Sequence, residues 1–256
     1  MGKYLKLSLG GGFFQDGDVS ILEKFITEDR IVADVGANIG TFSIPLSRKA
    51  KEVLAFEPVP ENIKWLEENI RANNAKNISV FPIALNDKNT EVKMVSHNEN
   101  EFGNFSMREG KGVQARTLDS IDRRVDVMKI DVEGCEPAVL RGAKKTINRY
   151  RPTILFEVSP TDLRMHNENP FVTLTRALHG YDLYLPVEGG TKLCRVPSIA
   201  FATFLEGPKA FVLRDRFLVI NFLATTGKPP IPTVSRPVLY LIGRFMQRLF
   251  NKLSHH

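Results

Sequence analysis

The sequence predicts an α/β fold with a mainly parallel sheet and helices on both faces, and three observations carry that reading. Apolar runs alternate with stretches of helical period between residues 31 and 158, as in successive βαβ units. The first run leads into a glycine-bearing turn, Gly36-Ala37-Asn38-Ile39-Gly40. Acids stand at the carboxyl ends of the runs: Asp34, Glu57, Asp131 and Glu157. Open α/β sheets bind ligands at that edge, so these acids mark a site rather than a solvated surface.

The elements follow in order. Residues 1–18 are glycine-rich and turn-like, and a short helix over 19–27 precedes a strand over 31–35. Residues 40–50 read as the first crossover helix, with Pro45 removing a hydrogen bond from its early turns. A second strand, 52–56, is stopped by Pro58. The helix over 60–73 carries Ile63, Leu66 and Ile70 at spacings of three and four, and a third strand covers 78–83. From 91 to 117 the pattern changes. Val92, Met94, Val113 and Ala115 alternate as in short strands around a polar, glycine-rich insertion at 97–112. Long insertions of this kind act as lids or stay disordered. A fourth strand, 125–130, runs into Asp131-Val132-Glu133-Gly134; a helix over 137–150 and a fifth strand over 153–156 follow. Beyond Val158 the pattern weakens to a helix over 171–179 and strands over 181–186, 195–196 and 217–222. Gly227-Lys-Pro-Pro-Ile-Pro reads as a linker. It separates a domain over 1–226, with its core at 30–158, from a carboxyl-terminal helix at 235–254.

The turn at 36–40 narrows the ligand. Glu57 follows Gly40 by 17 positions, close to the ~20 expected of a ribose-binding acid. A carboxylate only accepts hydrogen bonds, which suits a pair of ribose hydroxyls. A dinucleotide turn needs G-x-G-x-x-G and a P-loop needs G-x-x-x-x-G-K-[ST]; neither is present. Asp34 and Asn38 beside the turn would repel or ignore a pyrophosphate. They suit a ligand end bearing an ammonium and a sulfonium, as in S-adenosylmethionine (SAM). The competing reading is that 31–40 is only a tight strand-to-helix turn.

Composition excludes several classes. The five histidines are scattered and form no cluster with Cys135 or Cys194, so a structural zinc site is not expected, and no metal is assigned. Two cysteines make no disulfide framework and read as reduced thiols in a cytoplasmic protein. The amino terminus lacks a secretory signal pattern, and no run of ~18 apolar residues is available to span a membrane. The net charge of +6 and pI of about 9.3 fit an anionic partner such as nucleic acid, anionic lipid or a charged glycan. They fit solubility alone equally well.

Four blocks now point to a family. They are Val-Ala-Asp34-Val-Gly36-Ala37-Asn38-Ile-Gly40-Thr-Phe, Ala-Phe-Glu57-Pro-Val-Pro-Glu-Asn, Pro-Ile-Ala84-Leu85-Asn-Asp and Met-Lys-Ile-Asp131-Val-Glu133-Gly-Cys135-Glu-Pro-Ala-Val-Leu-Arg-Gly-Ala. In this order, over about 30–158, the chain resembles the FkbM family of SAM-dependent methyltransferases. The resemblance implies a class I methyltransferase, Rossmann-like sheet of seven strands and O-methylation of a hydroxyl on a sugar or natural product. It also implies that Asp34, Gly36, Ala37, Asn38 and Gly40 face the methionine end of SAM, Glu57 the ribose, and Ala84 and Leu85 the adenine. The insertion at 97–112 and the segment after Val158 match less well, and an acceptor is chosen there. A glycan or other small molecule is the expected acceptor. A nucleic acid is the weaker alternative, with no Asn-Pro-Pro-Tyr-like motif to support it, and a non-catalytic scaffold that kept the fold is another.

Methyl transfer needs alignment of acceptor oxygen, methyl and sulfur, and an alcohol acceptor gains from a base. Asp131 and Glu133 are the catalytic candidates. If the fourth strand continued to 133, Asp131 would touch SAM or acceptor and Glu133 would assist proton removal. The alternative pairs Glu133 with Arg141 or Lys144. His97 is a second base candidate, because imidazole titrates near neutrality. Asp131, Glu133 and Glu157 also have the chemistry to gather a magnesium ion. Finally, 236–253 reads as a basic amphipathic helix: Val238, Ile242, Phe245, Leu249 and Leu253 share one face, and Arg244, Arg248 and Lys252 line another. Such a helix lies in an anionic membrane interface or packs on its own domain or a second copy.

Overall fold

The computed structural model describes residues 16–96, 105–158, 176–187, 191–196 and 220–234. In chain order the elements are α1 (Asp16–Leu22), β1 (Ile31–Val35), α2 (Ser43–Ser47), β2 (Glu52–Phe56), α3 (Pro60–Ala72), β3 (Ile78–Phe81), β4 (Ala84–Leu85), β5 (Thr90–Ser96), β6 (Phe105–Glu109) and β7 (Val113–Arg116). They continue as β8 (Val127–Ile130), α4 (Glu136–Gly142), α5 (Lys144–Tyr150), β9 (Thr153–Val158), β10 (Asp182–Val187), β11 (Lys192–Val196), β12 (Ile220–Thr225) and β13 (Thr233–Val234).

One sheet runs β3-β2-β1-β8-β9-β12-β10-β11-β13. From β3 to β9 every neighbour is parallel; β12 runs antiparallel to both β9 and β10. The chain winds outward from β1 through β2 to β3, then returns to the other side of β1 as β8. The carboxyl ends of β1 and β8 therefore flank the point where strand order reverses, the crevice in which open α/β sheets hold ligands. The expected seven strands become nine, because β11 and the two-residue β13 extend the edge.

The strand periodicity of two sorts side chains onto two covered faces. Ala33, Val35, Leu54, Phe56, Met128, Ile130, Ile154 and Phe156 form one core with Val139 and Leu140 of α4 and Ile147 of α5. Val32, Val53, Val127 and Leu155 form the opposite core with Ile21 and Leu22 of α1 and Leu46 of α2. Leu66 of α3 packs with Ala37 and Ala55. The central parallel strands β1, β2 and β8 are buried on both sides, which is why they read as unbroken apolar runs.

Sequence and structure differ where tertiary contacts decide. The crossover helix expected over 40–50 is only α2, since Asn38 (φ 49°) and Gly40 (φ 95°) hold the chain in a loop. The helix expected over 137–150 is two helices parted at Ala143. Asp119 starts the second one: its carboxylate accepts the backbone N–H groups of Lys145 and Thr146, both at 2.9 Å. Much of the expected insertion is ordered, because β6 pairs antiparallel with β5 in a second sheet, β4-β7-β5-β6. The residues read as a linker pack on the main sheet: Ile231 is buried, and the Leu193 N–H donates to the Pro232 carbonyl at 3.0 Å. His97, most of the helix expected at 171–179 and the helix at 236–253 lie outside the described residues. Among the described residues no helix is long and apolar enough to cross a membrane.

α4 meets the residue after β4 at Gly142, where a Cβ would stand 1.9 Å from the carbonyl oxygen of Asn86. Gly142→Ala is therefore expected to destabilise the protein by about 2 kcal/mol or more through overpacking, measured by urea unfolding. Gly227→Ala, at a glycine with nothing within 4 Å, is the control and should stay within ~0.5 kcal/mol of wild type.

Candidate active site

The site is built where β1 meets β8. Asp34 and Lys129 are opposed in register, both on the face that α2 covers. Asp34 is fully buried, its Oδ2 accepting the Ser43 hydroxyl at 2.6 Å and its Oδ1 lying 3.5 Å from Lys129 Nζ. Lys129, 5% exposed, also donates to the Gly36 carbonyl at 2.9 Å, lies 3.3 Å from Asp131 Oδ2, and stands 4.8 Å from the centre of the Phe42 ring. Burial works against its charge, but Asp131 and Asp34 outweigh that and hold the ammonium above its ordinary range. Burial pushes the Asp34 carboxyl up, opposed by Lys129 and Ser43.

Gly36 is fixed by this convergence. Its φ is +79°, and a Cβ there would sit 1.9 Å from the Asp131 carbonyl oxygen. Its first demand is thus closeness to the β8 loop. The N–H groups of Gly36 and Ala37 both donate to the Phe56 carbonyl at 3.0 Å, tying the turn to β2. Glu57 secures the other side. Its carboxylate, 4% exposed, accepts N–H groups of Asn38 (2.9 Å) and Val59 (3.0 Å) and the Asn62 side chain (3.2 Å). Burial raises the Glu57 carboxyl, and those donors oppose it. Glu57 is therefore first a clamp on the turn; a ribose hydroxyl would use the acceptor capacity left on its oxygens.

Past β8 the strand ends at Ile130, so Asp131 and Glu133 do not alternate on a continuing strand as the sequence suggested. Instead Glu133 (φ 51°) and Gly134 (φ 93°) turn through the left-handed region. Strained backbone of this kind gathers at functional sites. The turn is held from inside by Glu136, whose Oε1 accepts the N–H groups of Val132 (3.1 Å) and Gly134 (3.3 Å). Arg141 pairs with Asp87 at 2.8 Å. Ala84 and Leu85 form β4, with both side chains buried in the two cores. Cys135 and Cys194 are buried thiols.

Lys129 and Glu136 were missed in the sequence. A lysine inside the apolar run Val127-Met-Lys-Ile was the available signal for the first. For the second it was an acid two residues past a glycine turn. A cavity of about 360 Å³ lies beside this turn, between α4 and the second sheet, lined by Asn86, Thr90, Arg108, Gly134, Cys135 and Arg141 among others. Among the described residues no three His, Cys, Asp or Glu side chains converge closely enough to hold a metal ion.

The glycine turn fits the charged end of SAM. Asn38 Oδ1 is buried without a hydrogen bond, and Asp34 Oδ1 has only the 3.5 Å approach of Lys129. These are acceptors at the head of a nucleotide-type crevice, where an ammonium supplies donors.

Fold and site together define an α/β protein with a ligand crevice at its topological switch point. More particularly, the chain belongs to the family described as Methyltransferase FkbM domain, which matches residues 34–183. Among curated relatives, it is 24% identical over 146 residues to "Methyltransferase 1" of Beauveria bassiana, covering 45% of this chain and 59% of that one. It is 28% identical over 158 residues to "Hexuronic acid methyltransferase AglP" of Haloferax volcanii, covering 57% and 64%. To "tRNA (guanine(37)-N(1))-methyltransferase Trm5b" of Pyrococcus abyssi it is 43% identical over 70 residues, covering 27% and 21%. The chain spans less than two thirds of the length of each of these relatives.

Glu136 makes stability depend on pH. Burial raises its carboxyl from 4.5 to about 8, so the unfolded chain ionises first. The stabilisation is complete below about pH 4.5 and is lost as pH rises to about 8. In Glu136→Gln, whose amide oxygen still accepts the two N–H groups, this loss should disappear. The variant is expected to gain on wild type steadily from pH 5 to 8, by on the order of 1 kcal/mol or more, measured by urea unfolding across that range.

Proposed function

We propose that this chain is a SAM-dependent O-methyltransferase acting on a hydroxyl of a sugar, glycan or related small acceptor. The carrying observation is the Gly36–Gly40 turn beside the carboxyl ends of β1 and β8, where Asp34 Oδ1 and Asn38 Oδ1 are buried and make no hydrogen bond. Family membership supports methyl transfer, and the relative named as a hexuronic acid methyltransferase favours a sugar acceptor. SAM supplies an electrophilic methyl group on a sulfonium.

The chain's own residues do the rest. Asp34, Asn38 and the Gly36–Gly40 backbone hold the methionine end. Glu57 holds the ribose and, through Asn38, the shape of the turn. The β3–β4 connection, leading to Ala84 and Leu85, borders the adenine. Asp131 orients cofactor and acceptor from the end of β8. Glu133, in the left-handed turn after β8, receives the acceptor's hydroxyl proton. The cavity beside Gly134 and Cys135 offers donors and acceptors from Arg108, Asn86 and Thr90 to a polyhydroxylated acceptor.

A nucleic-acid acceptor is the second reading, favoured by the 70-residue match to a tRNA methyltransferase and by the basic pI. It predicts binding that weakens steeply with salt.

Isothermal titration with SAM tests the cofactor: micromolar affinity is expected, weakened at least about tenfold in Glu57→Ala as the turn loses its clamp. Absence of SAM binding in folded protein would overturn the reading. Glu133→Gln is expected to lower turnover with hexuronic acid acceptors by about 10²-fold or more while SAM affinity holds. Full activity would remove Glu133 from the mechanism. Turnover on tRNA but on no sugar would favour the second reading.

A further inference from the structure

Lys129 is a buried charge with no part in the steps above. Neither it nor Asp34 reaches the surface, whereas the Asp131 side chain is 25% exposed at the carboxyl end of β8. An ammonium carries three donors. Three acceptors lie within 3.5 Å of this one: the Gly36 carbonyl at 2.9 Å, Asp131 Oδ2 at 3.3 Å and Asp34 Oδ1 at 3.5 Å. Glu57 and Glu157 feel the same charge but form no ion pair with it.

The main chain of Asp131 is already held against β1. Its N–H donates to the Val35 carbonyl at 3.1 Å, and its own carbonyl oxygen lies where it would meet a Cβ of Gly36 at 1.9 Å. Only the side-chain torsions of Asp131 are left to fix, and Lys129 is the one ion-pair partner of its carboxylate among the described residues. One ammonium between two carboxylates leaves a single net negative charge. Asp34 is fully buried, where an uncompensated charge is costly, so the uncompensated charge belongs to Asp131.

We propose that Lys129 is a positioning residue for the cofactor: it draws one oxygen of the Asp131 carboxylate toward the core and thereby sets the other to meet the cationic end of SAM. The inference rests on the SAM reading above and adds to it a residue that never touches the ligand. A carboxylate free to rotate loses that freedom when a ligand binds, whereas one held beforehand has lost it on folding. Burial works against the Lys129 charge, but Asp131 and Asp34 outweigh it, so the ammonium persists to hold the carboxylate. A purely structural Lys129 would instead balance Asp34 or hold the Gly36 carbonyl, and neither of these acts through Asp131.

A double-mutant cycle on SAM affinity separates the two roles. Lys129→Met, Asp131→Asn and the double variant are titrated with SAM by calorimetry as full chains, each first shown to be folded by circular dichroism and urea unfolding. Each single change is expected to weaken SAM binding about tenfold or more. The double variant should stay within about threefold of the weaker single one, because Lys129 then has no carboxylate to position. Losses that multiply, to about a hundredfold, would assign Lys129 to the shape of the glycine turn and overturn its action through Asp131. Unchanged SAM affinity in either single variant would overturn it as well. If Lys129→Met fails to fold, Lys129→Gln, which keeps an N–H donor without the charge, takes its place in the same cycle with the same outcomes. Multiplying losses leave the methyltransferase reading standing, whereas failure of the folded wild type to bind SAM would overturn both.

Discussion

Lys129 is the interaction on which the site depends. It stands on a central strand, buried on the α2 face, and one ammonium reaches Asp34 across the β1–β8 register, Asp131 at the strand end and the carbonyl of Gly36. A buried ion pair adds little net stability over an apolar pair, but breaking it by removing one partner costs about 3–5 kcal/mol. What the ion gives here is position. It draws the glycine turn and the β8 loop together until Gly36 and the Asp131 carbonyl leave no room for a methyl group. The crevice has its shape because a charge in the core admits few other arrangements.

The same logic recurs at each acid around the crevice. Glu57 uses its carboxylate to fix the backbone N–H groups of Asn38 and Val59, and Glu136 does so for Val132 and Gly134. Each side chain satisfies loop donors that would otherwise be orphaned away from water. Each therefore shapes a turn at the edge where a cationic ligand is proposed to sit, so truncating one of these acids alters the shape of that edge.

Much of this was legible in the sequence, for identifiable reasons. β1 and β2 have the expected limits, since runs buried on both faces end abruptly at Gly36 and at Pro58. α3 differs from its expected span by one residue, since its apolar spacing and Pro60 at its first turn are local signals. What escaped was set by partners distant in sequence. The break between α4 and α5 is set by Asn86 and Asp119, which lie on another layer. The end of β8 at Ile130 follows from Glu136 pulling the next residues into a left-handed turn. Lys129 itself reads as an outward polar residue until its register with Asp34 is known. The edge strand β11 was legible only at 195–196, and the two-residue β13 carries no periodic signal long enough to count.

The second sheet bears on how acceptor choice is separated from cofactor binding. Its core of Ala84, Val92 and Ala115, with Met94, Met107 and Val113 against it, is distinct from the main cores. It joins the main layer through Leu85, the Gly142–Asn86 approach and the Arg141–Asp87 pair. It therefore forms one wall of the cavity beside Gly134 and Cys135 without contributing to the Asp34–Lys129–Asp131 network. A change of side chain on β5 or β6 alters that wall and leaves the ion network in place. The charge-locked crevice and the cavity beside it are thus shaped by different side chains, and the proposed acceptor is to be sought on β5, β6 and the start of α4 rather than in the glycine turn.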